Sequence, residues 1–170
     1  AYALIAFQTA YLKAHFPIYF FCASMNTELS NTDKLNLFYE ELKRLKIDIR
    51  PPNINYSYAE FLPRDKTIYY ALSAIKAVGY EAISNIVRER EKNGIFKSIS
   101  SFLSRIESKN LNKLQLEGLI KSGALDTLDQ NRKKLFENVP DYIKQSKSSD
   151  KTNSDNQNLL FSQEFEENDN

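Results

Sequence analysis

Apolar residues in the first third of the chain recur at helical spacing. Residues 2–15 are apolar on most sides of a helix, so we expect a buried helix there that Pro17 interrupts. Residues 18–25 are rich in aromatic side chains and predict a second buried helix. Thr32-Asp33 then offers an N-cap for an amphipathic helix. Its apolar face consists of Leu35, Leu37, Phe38, Leu42 and Leu45.

The pattern changes between residues 47 and 71. Ile47-Asp48-Ile49 predicts a short extended segment, and the prolines at 51 and 52 push the residues before them out of helical geometry. Residues 58–62 and 67–71 are predicted to pair as a small β-hairpin around residues 63–66.

Short helices separated by glycine-containing breaks follow from residue 72. Leu72 and Ile75 form a brief apolar face that ends at Ala77-Val78-Gly79, and a longer helix then runs to a stop at Asn93-Gly94. Ser98 or Ser100 can cap the next helix, and Asn112 with Gln115 has the spacing of a capping box.

The final third holds one more helix and a polar tail. Ser122-Gly123-Ala124 breaks the preceding helix, and a last helix is expected from about Asp129 to near Pro140. Residues 144–158 and 162–170 contain too few apolar side chains to form a core, so they are expected to be disordered. Between them Leu159-Leu160-Phe161 forms an apolar island, which is typical of a short docking motif but could equally fold back onto the domain.

Charge is distributed unevenly along the chain. The 170 residues carry a net charge of +1, yet residues 72–136 hold 12 basic and 7 acidic side chains, and residues 137–170 hold 3 and 8. A basic block suggests an anionic partner. Its general attraction would come from Arg88, Arg90, Lys92, Lys97, Arg105, Lys109 and Lys113.

Cys22 is the only cysteine and His15 the only histidine in the sequence. An internal disulfide and a Cys/His metal cluster are therefore excluded, and a reducing compartment fits. No apolar run approaches the about 20 residues that span a bilayer, so no membrane partner is expected. The chain opens inside an apolar run without an initiator Met, which suggests a piece of a longer protein.

The break at Ala77-Val78-Gly79 has the layout of a helix-hairpin-helix motif. A tight turn followed by a helix N-terminus points backbone N–H groups outward, where a phosphate oxygen can bind, and Lys76 adds a point charge. Such binding follows the DNA backbone rather than the sequence. The motif has glycine at both ends of the turn, whereas the first position here is Ala77, which tolerates positive φ poorly. An ordinary helix-turn-helix corner would look similar.

A second break of the same kind follows about 45 residues later. Two such units joined by a connector helix could grip both strands of a duplex. The predicted DNA-binding residues are therefore Lys76, Ala77, Val78, Gly79 and Tyr80 at the first break, and Lys121, Ser122, Gly123 and Ala124 at the second.

The order of these segments closely resembles the bacterial DNA polymerase III α subunits. Residues 2–17 are similar to the late fingers segment of that family, and residues 50–55 (RPPNIN) to the proline-rich stretch that follows it. Residues 72–79 and 119–126 look like its two hairpins. Gln157 with Leu159, Leu160 and Phe161 is similar to its internal sliding-clamp motif.

The resemblance implies a mainly α fold in four parts. Residues 1–56 would be the C-terminal part of the fingers, and residues 57–71 a connector with the possible hairpin. Residues 72–140 would form a tandem helix-hairpin-helix DNA-binding domain, and residues 141–170 a flexible tail that carries the clamp-binding motif.

The resemblance also implies a parent enzyme of the bacterial cytoplasm, a DNA-directed DNA polymerase (a nucleotidyltransferase) that uses magnesium held by palm aspartates. Those aspartates would lie upstream, so this chain is expected to have no catalytic residue and no cofactor of its own. Its partners would be primer-template duplex, the sliding clamp and other holoenzyme subunits.

The sequence is also compatible with two other functions. A repair glycosylase would need a catalytic lysine or aspartate soon after a hairpin, and Asp126 is nearby, but no base pocket can be inferred. A non-enzymatic helical adaptor could present the C-terminal peptide to a partner. Duplex affinity separates the adaptor from the polymerase segment.

Overall fold

The computed structural model describes residues 2–107 and 111–144, and it is mainly helical with one small sheet, as the sequence predicts. Two groups of buried side chains form separate cores, one around the N-terminal helices and one around the C-terminal helices. The predicted clamp motif, Gln157 to Phe161, lies outside the described residues.

Three helices form the N-terminal part: α1 (Tyr2–His15), α2 (Pro17–Asn26) and α3 (Thr32–Arg44). Pro17 occupies the first turn of α2, where its missing N–H costs nothing. The N-cap of α3 is Asn31, whose side chain accepts a hydrogen bond from the Lys34 N–H, so the predicted cap at Thr32-Asp33 was one residue late. Buried side chains of α2 and α3 supply most of this core.

Helix α1 is present, but the prediction that it is buried was wrong. None of its residues is buried; Tyr2 is 90% exposed and Phe7 65% exposed. The helix packs mainly against α2, and the Lys13 ammonium forms an ion pair with Glu41 on α3 at 2.9 Å. An apolar helix is buried only where a second apolar surface covers it, and the described residues offer one on a single side.

A three-stranded sheet follows, with β1 (Asp48–Arg50), β2 (Pro63–Arg64) and β3 (Thr67–Tyr69) in the order β1-β3-β2. β1 is parallel to β3, and β2 is antiparallel to it. The hairpin therefore exists, but it is tighter than predicted, because only two residues separate its strands and Asp65 there has a φ of +56°.

The predicted strand over residues 58–62 was wrong because other groups bind its backbone. The Phe61 N–H donates to the Asn26 side-chain oxygen at 2.7 Å, and the Asn26 amide donates to the Phe61 carbonyl at 3.0 Å. The Tyr58 carbonyl accepts from the Leu72 N–H at 2.9 Å. Pairing begins only at Pro63, a residue that short edge strands tolerate.

Short helices build the C-terminal part: a 3₁₀ turn (Leu72–Ala74), then α4 (Tyr80–Asn93), α5 (Ile99–Arg105), α6 (Lys113–Lys121) and α7 (Arg132–Glu137). Ser98 caps α5, the capping box of Asn112 and Gln115 makes both of its hydrogen bonds, and Gly94 ends α4 with a φ of +79°. These three predictions are confirmed.

Two details at the ends of this part differ from expectation. The element before the first break is a single 3₁₀ turn rather than an α-helix. The last predicted helix begins at Arg132 after an Asn131 cap, and Pro140 lies at the start of a further helical stretch, residues 139–144, instead of near an end. Proline suits a first helical turn, which explains its place there.

The proline-rich segment anchors the C-terminal core. Ile54 is fully buried, and its N–H donates to the Ala124 carbonyl at 2.8 Å. The Asn55 side chain exchanges two hydrogen bonds of 2.9 Å with the backbone of Phe96. Arg90 of α4 donates to the Ile54 and Ser57 carbonyls at 2.8 and 2.7 Å. Residues 54–57 therefore join α4, the segment before α5 and the second break.

Candidate nucleic-acid interface

The first break is a tight turn in which alanine has the left-handed conformation. Ala77 has a φ of +68°, whereas Gly79 has an ordinary φ of −79° and is the N-cap of α4. The Val78 N–H donates to the Ile75 carbonyl at 3.1 Å, and the Val78 side chain is buried, which fixes the turn to the core. The geometry that the motif asks of its first glycine is thus adopted by Ala77 at a cost of about 1 kcal/mol.

The N-terminus of α4 is open. In α3, α5, α6 and α7 an N-cap side chain accepts a hydrogen bond from the first turn, but Gly79 has no side chain to do so. The first N–H groups of a helix have no intrahelical partner. Gly79, Tyr80 and Glu81 are exposed, so these groups lie where an anion could reach them.

Lys76 and Tyr80 flank this open terminus. Lys76 is exposed and makes no ion pair within the described residues. The Tyr80 hydroxyl donates to the Glu60 carboxylate at 3.0 Å, which raises the pKa of the tyrosine and places an acidic group at the edge of the turn. The positive charge beside the turn therefore comes from Lys76 and the helix dipole.

Gly118 of α6 packs against the first break, and it was not among the predicted site residues. A Cβ atom at this position would lie 3.0 Å from both the Lys76 carbonyl oxygen and a methyl group of Val78. An alanine there would require the turn or α6 to shift by a few tenths of an ångström. A glycine between the buried residues Leu116 and Leu119 of a helix was the signal that could have found it.

The second break has a different geometry. Gly123 has a φ of +80°; its N–H donates to the Ile120 carbonyl, and the Ala124 N–H donates to the Leu119 carbonyl, both at 3.0 Å. This pair of bonds is a Schellman motif that ends α6. The next helix begins only at Arg132, so no open helix N-terminus adjoins this turn.

The cations at the second break have intramolecular partners. The Arg132 guanidinium lies over Gly123 and donates to the Asp126 carboxylate at 2.7 Å, which raises the pKa of the arginine. The Lys121 ammonium lies 3.5 Å from the Glu117 carboxylate and 4.8 Å from the centre of the Phe136 ring. Ser122 donates its hydroxyl to the Leu119 carbonyl.

Two of the predicted attracting cations serve the fold instead. Arg90 is 6% exposed, and its burial lowers its pKa. Arg105 pairs with Glu89 at 3.0 Å and stacks 4.4 Å from the centre of the Phe96 ring. Arg88, Lys92, Lys97 and Lys113 are exposed, and Lys109 lies outside the described residues.

The described ranges hold no metal-binding cluster and no membrane-spanning helix. Among residues 2–107 and 111–144, no three His, Cys, Asp or Glu side chains come together in a way that could hold a metal ion. No helix in the same ranges is long and apolar enough to cross a membrane. Cys22 is buried, which raises its pKa to about 12 and keeps the thiol protonated at neutral pH.

Comparisons with known proteins identify the chain. The sequence model of the helix-hairpin-helix motif matches residues 46–135. The DNA polymerase III subunit alpha of Borreliella burgdorferi is 48% identical over 162 residues, or 95% of this chain. The corresponding subunits of Caulobacter vibrioides and Campylobacter jejuni are 42% and 38% identical over 79% and 96% of the chain. The chain spans 12 to 14% of the length of these relatives. It belongs to the family of bacterial DNA polymerase III α subunits.

Proposed function

We propose that this chain is the part of a replicative DNA polymerase that holds duplex DNA by its phosphates, without sequence specificity. The observation that carries the proposal is the open N-terminus of α4 beside the turn at Ala77, in a chain whose relatives are α subunits. The N–H groups of residues 79–81 would donate to phosphate oxygens while Lys76 neutralises charge. No base is read by such contacts, so the duplex can slide through them.

The second break has a smaller part in this proposal. Its Gly123 and Ala124 N–H groups already end α6, so Lys121, Ser122 and Arg132 would contact the backbone with their side chains. Each of these side chains must give up an existing partner to bind a phosphate, which lowers the net free energy gained on binding. The first break therefore provides the main contact.

Within the longer protein, residues 1–56 would complete the fingers, residues 57–71 would connect them to the domain of residues 72–140, and the remaining tail would reach the sliding clamp. Polymerisation, in the bacterial cytoplasm, would be the activity of the whole subunit. Among residues 2–107 and 111–144, no three His, Cys, Asp or Glu side chains come together, so no carboxylate cluster marks a magnesium site there. From the resemblance to the family, the metal and the aspartates that hold it would lie elsewhere in the α subunit.

Docking on the clamp is proposed for Gln157, Leu159, Leu160 and Phe161. Burial of an apolar side chain of this size contributes roughly 1.5–3 kcal/mol before ordering costs. Replacing both Leu160 and Phe161 with alanine should abolish clamp binding and leave duplex binding intact. Unchanged clamp affinity would show that this peptide is not the docking motif.

The test of the main proposal is a titration of duplex DNA into the chain at several salt concentrations. Contact with two to four phosphates predicts a log–log slope of about −2 to −4, and the same affinity for unrelated sequences. A slope near zero would contradict phosphate binding. Absence of duplex affinity even at low salt would favour the adaptor function, and release of a damaged base would favour the glycosylase.

A further inference from the structure

The outer face of the small sheet combines aromatic and cationic side chains. Residues paired in register share a face, and the pairs here are Arg50 with Tyr69 and Arg64 with Thr67. The opposite face carries Ile68, which is fully buried in the N-terminal core. The outward face also carries Asp48 and Thr67, and the Thr67 hydroxyl donates a hydrogen bond to the Asp48 carboxylate at 3.1 Å. We name the aromatic and cationic side chains of this face, together with Tyr56 from the preceding loop, the sheet platform: Arg50, Tyr56, Arg64 and Tyr69.

Two tyrosines and a guanidinium are stacked on this platform. The ring centroids of Tyr56 and Tyr69 lie 5.7 Å apart with 30° between the ring planes. The Arg64 guanidinium carbon lies 5.6 Å from the centre of the Tyr56 ring. Tyr56 is 40% exposed, Arg64 is exposed, and Tyr69 is half-buried. The stack is therefore accessible from solvent at Tyr56 and Arg64.

Positive charge on the platform is only partly balanced. Arg50 pairs with Asp48 at 2.9 Å, but Arg64 has no ion pair in the part of the chain that the structure describes. Burial is the main cause of the lowered pKa of Arg90, and the charge of Arg64 lowers that pKa slightly further. An anion beside Arg64 would relieve this repulsion. The ligand that fits is one with both a negative charge and a flat aromatic face.

We propose that the sheet platform binds single-stranded DNA, with a base stacked on Tyr56 or Tyr69 and the adjoining phosphate on Arg64. Bases expose their faces only when a strand is unpaired, so a duplex cannot use these rings. Stacking accepts any base, because every base has a flat π face, so binding at the platform would not depend on sequence. The platform shares no residue with the first break, so it is a site independent of the proposed duplex contact.

The test measures binding of fluorescein-labelled oligonucleotides of about 12 nucleotides to the 170-residue chain. We expect oligothymidylate to bind about tenfold more tightly than an abasic strand of equal length, because stacking requires bases. Tyr56→Leu combined with Tyr69→Leu should remove that difference, while the Phe replacements keep it. Arg64→Gln should reduce the salt slope for the single strand by about 0.7.

Control variants separate stacking from general effects. Tyr39 on α3 also has a cation over its ring, Lys43 at 5.3 Å, so Tyr39→Leu removes a similar exposed pair elsewhere and should change nothing. Lys76→Ala should weaken duplex binding and leave the difference between oligothymidylate and the abasic strand unchanged, which distinguishes failure of this proposal from failure of the duplex proposal. Equal affinity for the abasic strand, or an equal loss of duplex and single-strand binding in the tyrosine variant, would overturn the platform.

Discussion

Gly79→Asp is the substitution that best separates folding from phosphate binding at the first break. Gly79 is the N-cap of α4 with an ordinary φ of −79°, so any L-residue can adopt this backbone conformation. A Cβ atom there would meet only the Gln115 side-chain nitrogen, at 3.6 Å, which is an ordinary contact. The aspartate oxygen could then accept the first-turn N–H groups that we assign to a phosphate.

Gly79→Asp should raise the stability of the fold and lower the affinity for duplex DNA. An aspartate N-cap improves on glycine by a few tenths of a kcal/mol, and its charge at the positive end of the helix adds about 0.3–1 kcal/mol. The free energy of unfolding should therefore rise by about 0.5–1 kcal/mol. Loss of a hydrogen bond to a charged group costs about 1.5–3 kcal/mol, so duplex affinity should fall about 10- to 150-fold.

The assay pairs thermal unfolding with duplex titration in two variants. Gly79→Asn offers the same cap without the charge, and it should stabilise α4 while weakening the duplex less than the aspartate does. The salt slope should fall by about 1 in the aspartate variant, because one phosphate contact is lost. Duplex affinity unchanged by Gly79→Asp, in a folded protein, would refute the assignment of these N–H groups to phosphate.

Three further outcomes are expected. Ala77→Gly should raise the free energy of unfolding by about 1 kcal/mol and preserve duplex binding, because it removes left-handed strain; denaturant titration measures it. Gly118→Ala should destabilise the protein by about 1–3 kcal/mol and weaken duplex binding, since its Cβ displaces the first turn; a folded variant with wild-type affinity would contradict this. Hydrogen bonds from Lys13 and Arg44 lower the pKa of Glu41, so its contribution to stability is present above the ordinary carboxyl pKa and is lost as pH falls through the lowered value. NMR titration of Glu41 should show that lowered pKa, and Glu41→Gln should flatten the acid limb of the stability profile.

The sequence predicts those features of the fold whose causes are local. The caps at Ser98 and Asn112 and the stop at Gly94 each depend on atoms within one helical turn, so their residue types and spacing identify them. The two breaks were found in the same way. Their difference was not, because Gly79 of the first break is itself the N-cap of the next helix, whereas the helix after Gly123 takes its N-cap from Asn131.

Long-range pairings explain what the sequence could not predict. The backbone of Phe61 is hydrogen-bonded to the side chain of Asn26 instead of to a neighbouring strand, and the backbone of Phe96 is hydrogen-bonded to the side chain of Asn55. These partners are 35 and 41 residues apart in the chain. Nothing in the local pattern indicates such partners. The exposed surface of α1 is a related case, because a hydrophobic pattern shows that a helix has an apolar side but not what covers it.

The segment of residues 54–72 contributes side chains first to one core, then to the other, and then to the first again. Ile54 and Ala59 belong to the C-terminal core, Phe61, Ile68 and Ala71 to the N-terminal core, and Leu72 to the C-terminal core again. Ala59 and Phe61, and likewise Ala71 and Leu72, are close neighbours in the chain but belong to different cores. Unfolding of one core would therefore pull on residues that are buried in the other. The described part of the chain should therefore melt as a single cooperative unit. A phosphate bound at the first turn would stabilise this whole unit. It would therefore slow amide hydrogen exchange in α2 and α3 as well as in α4, although it contacts neither α2 nor α3.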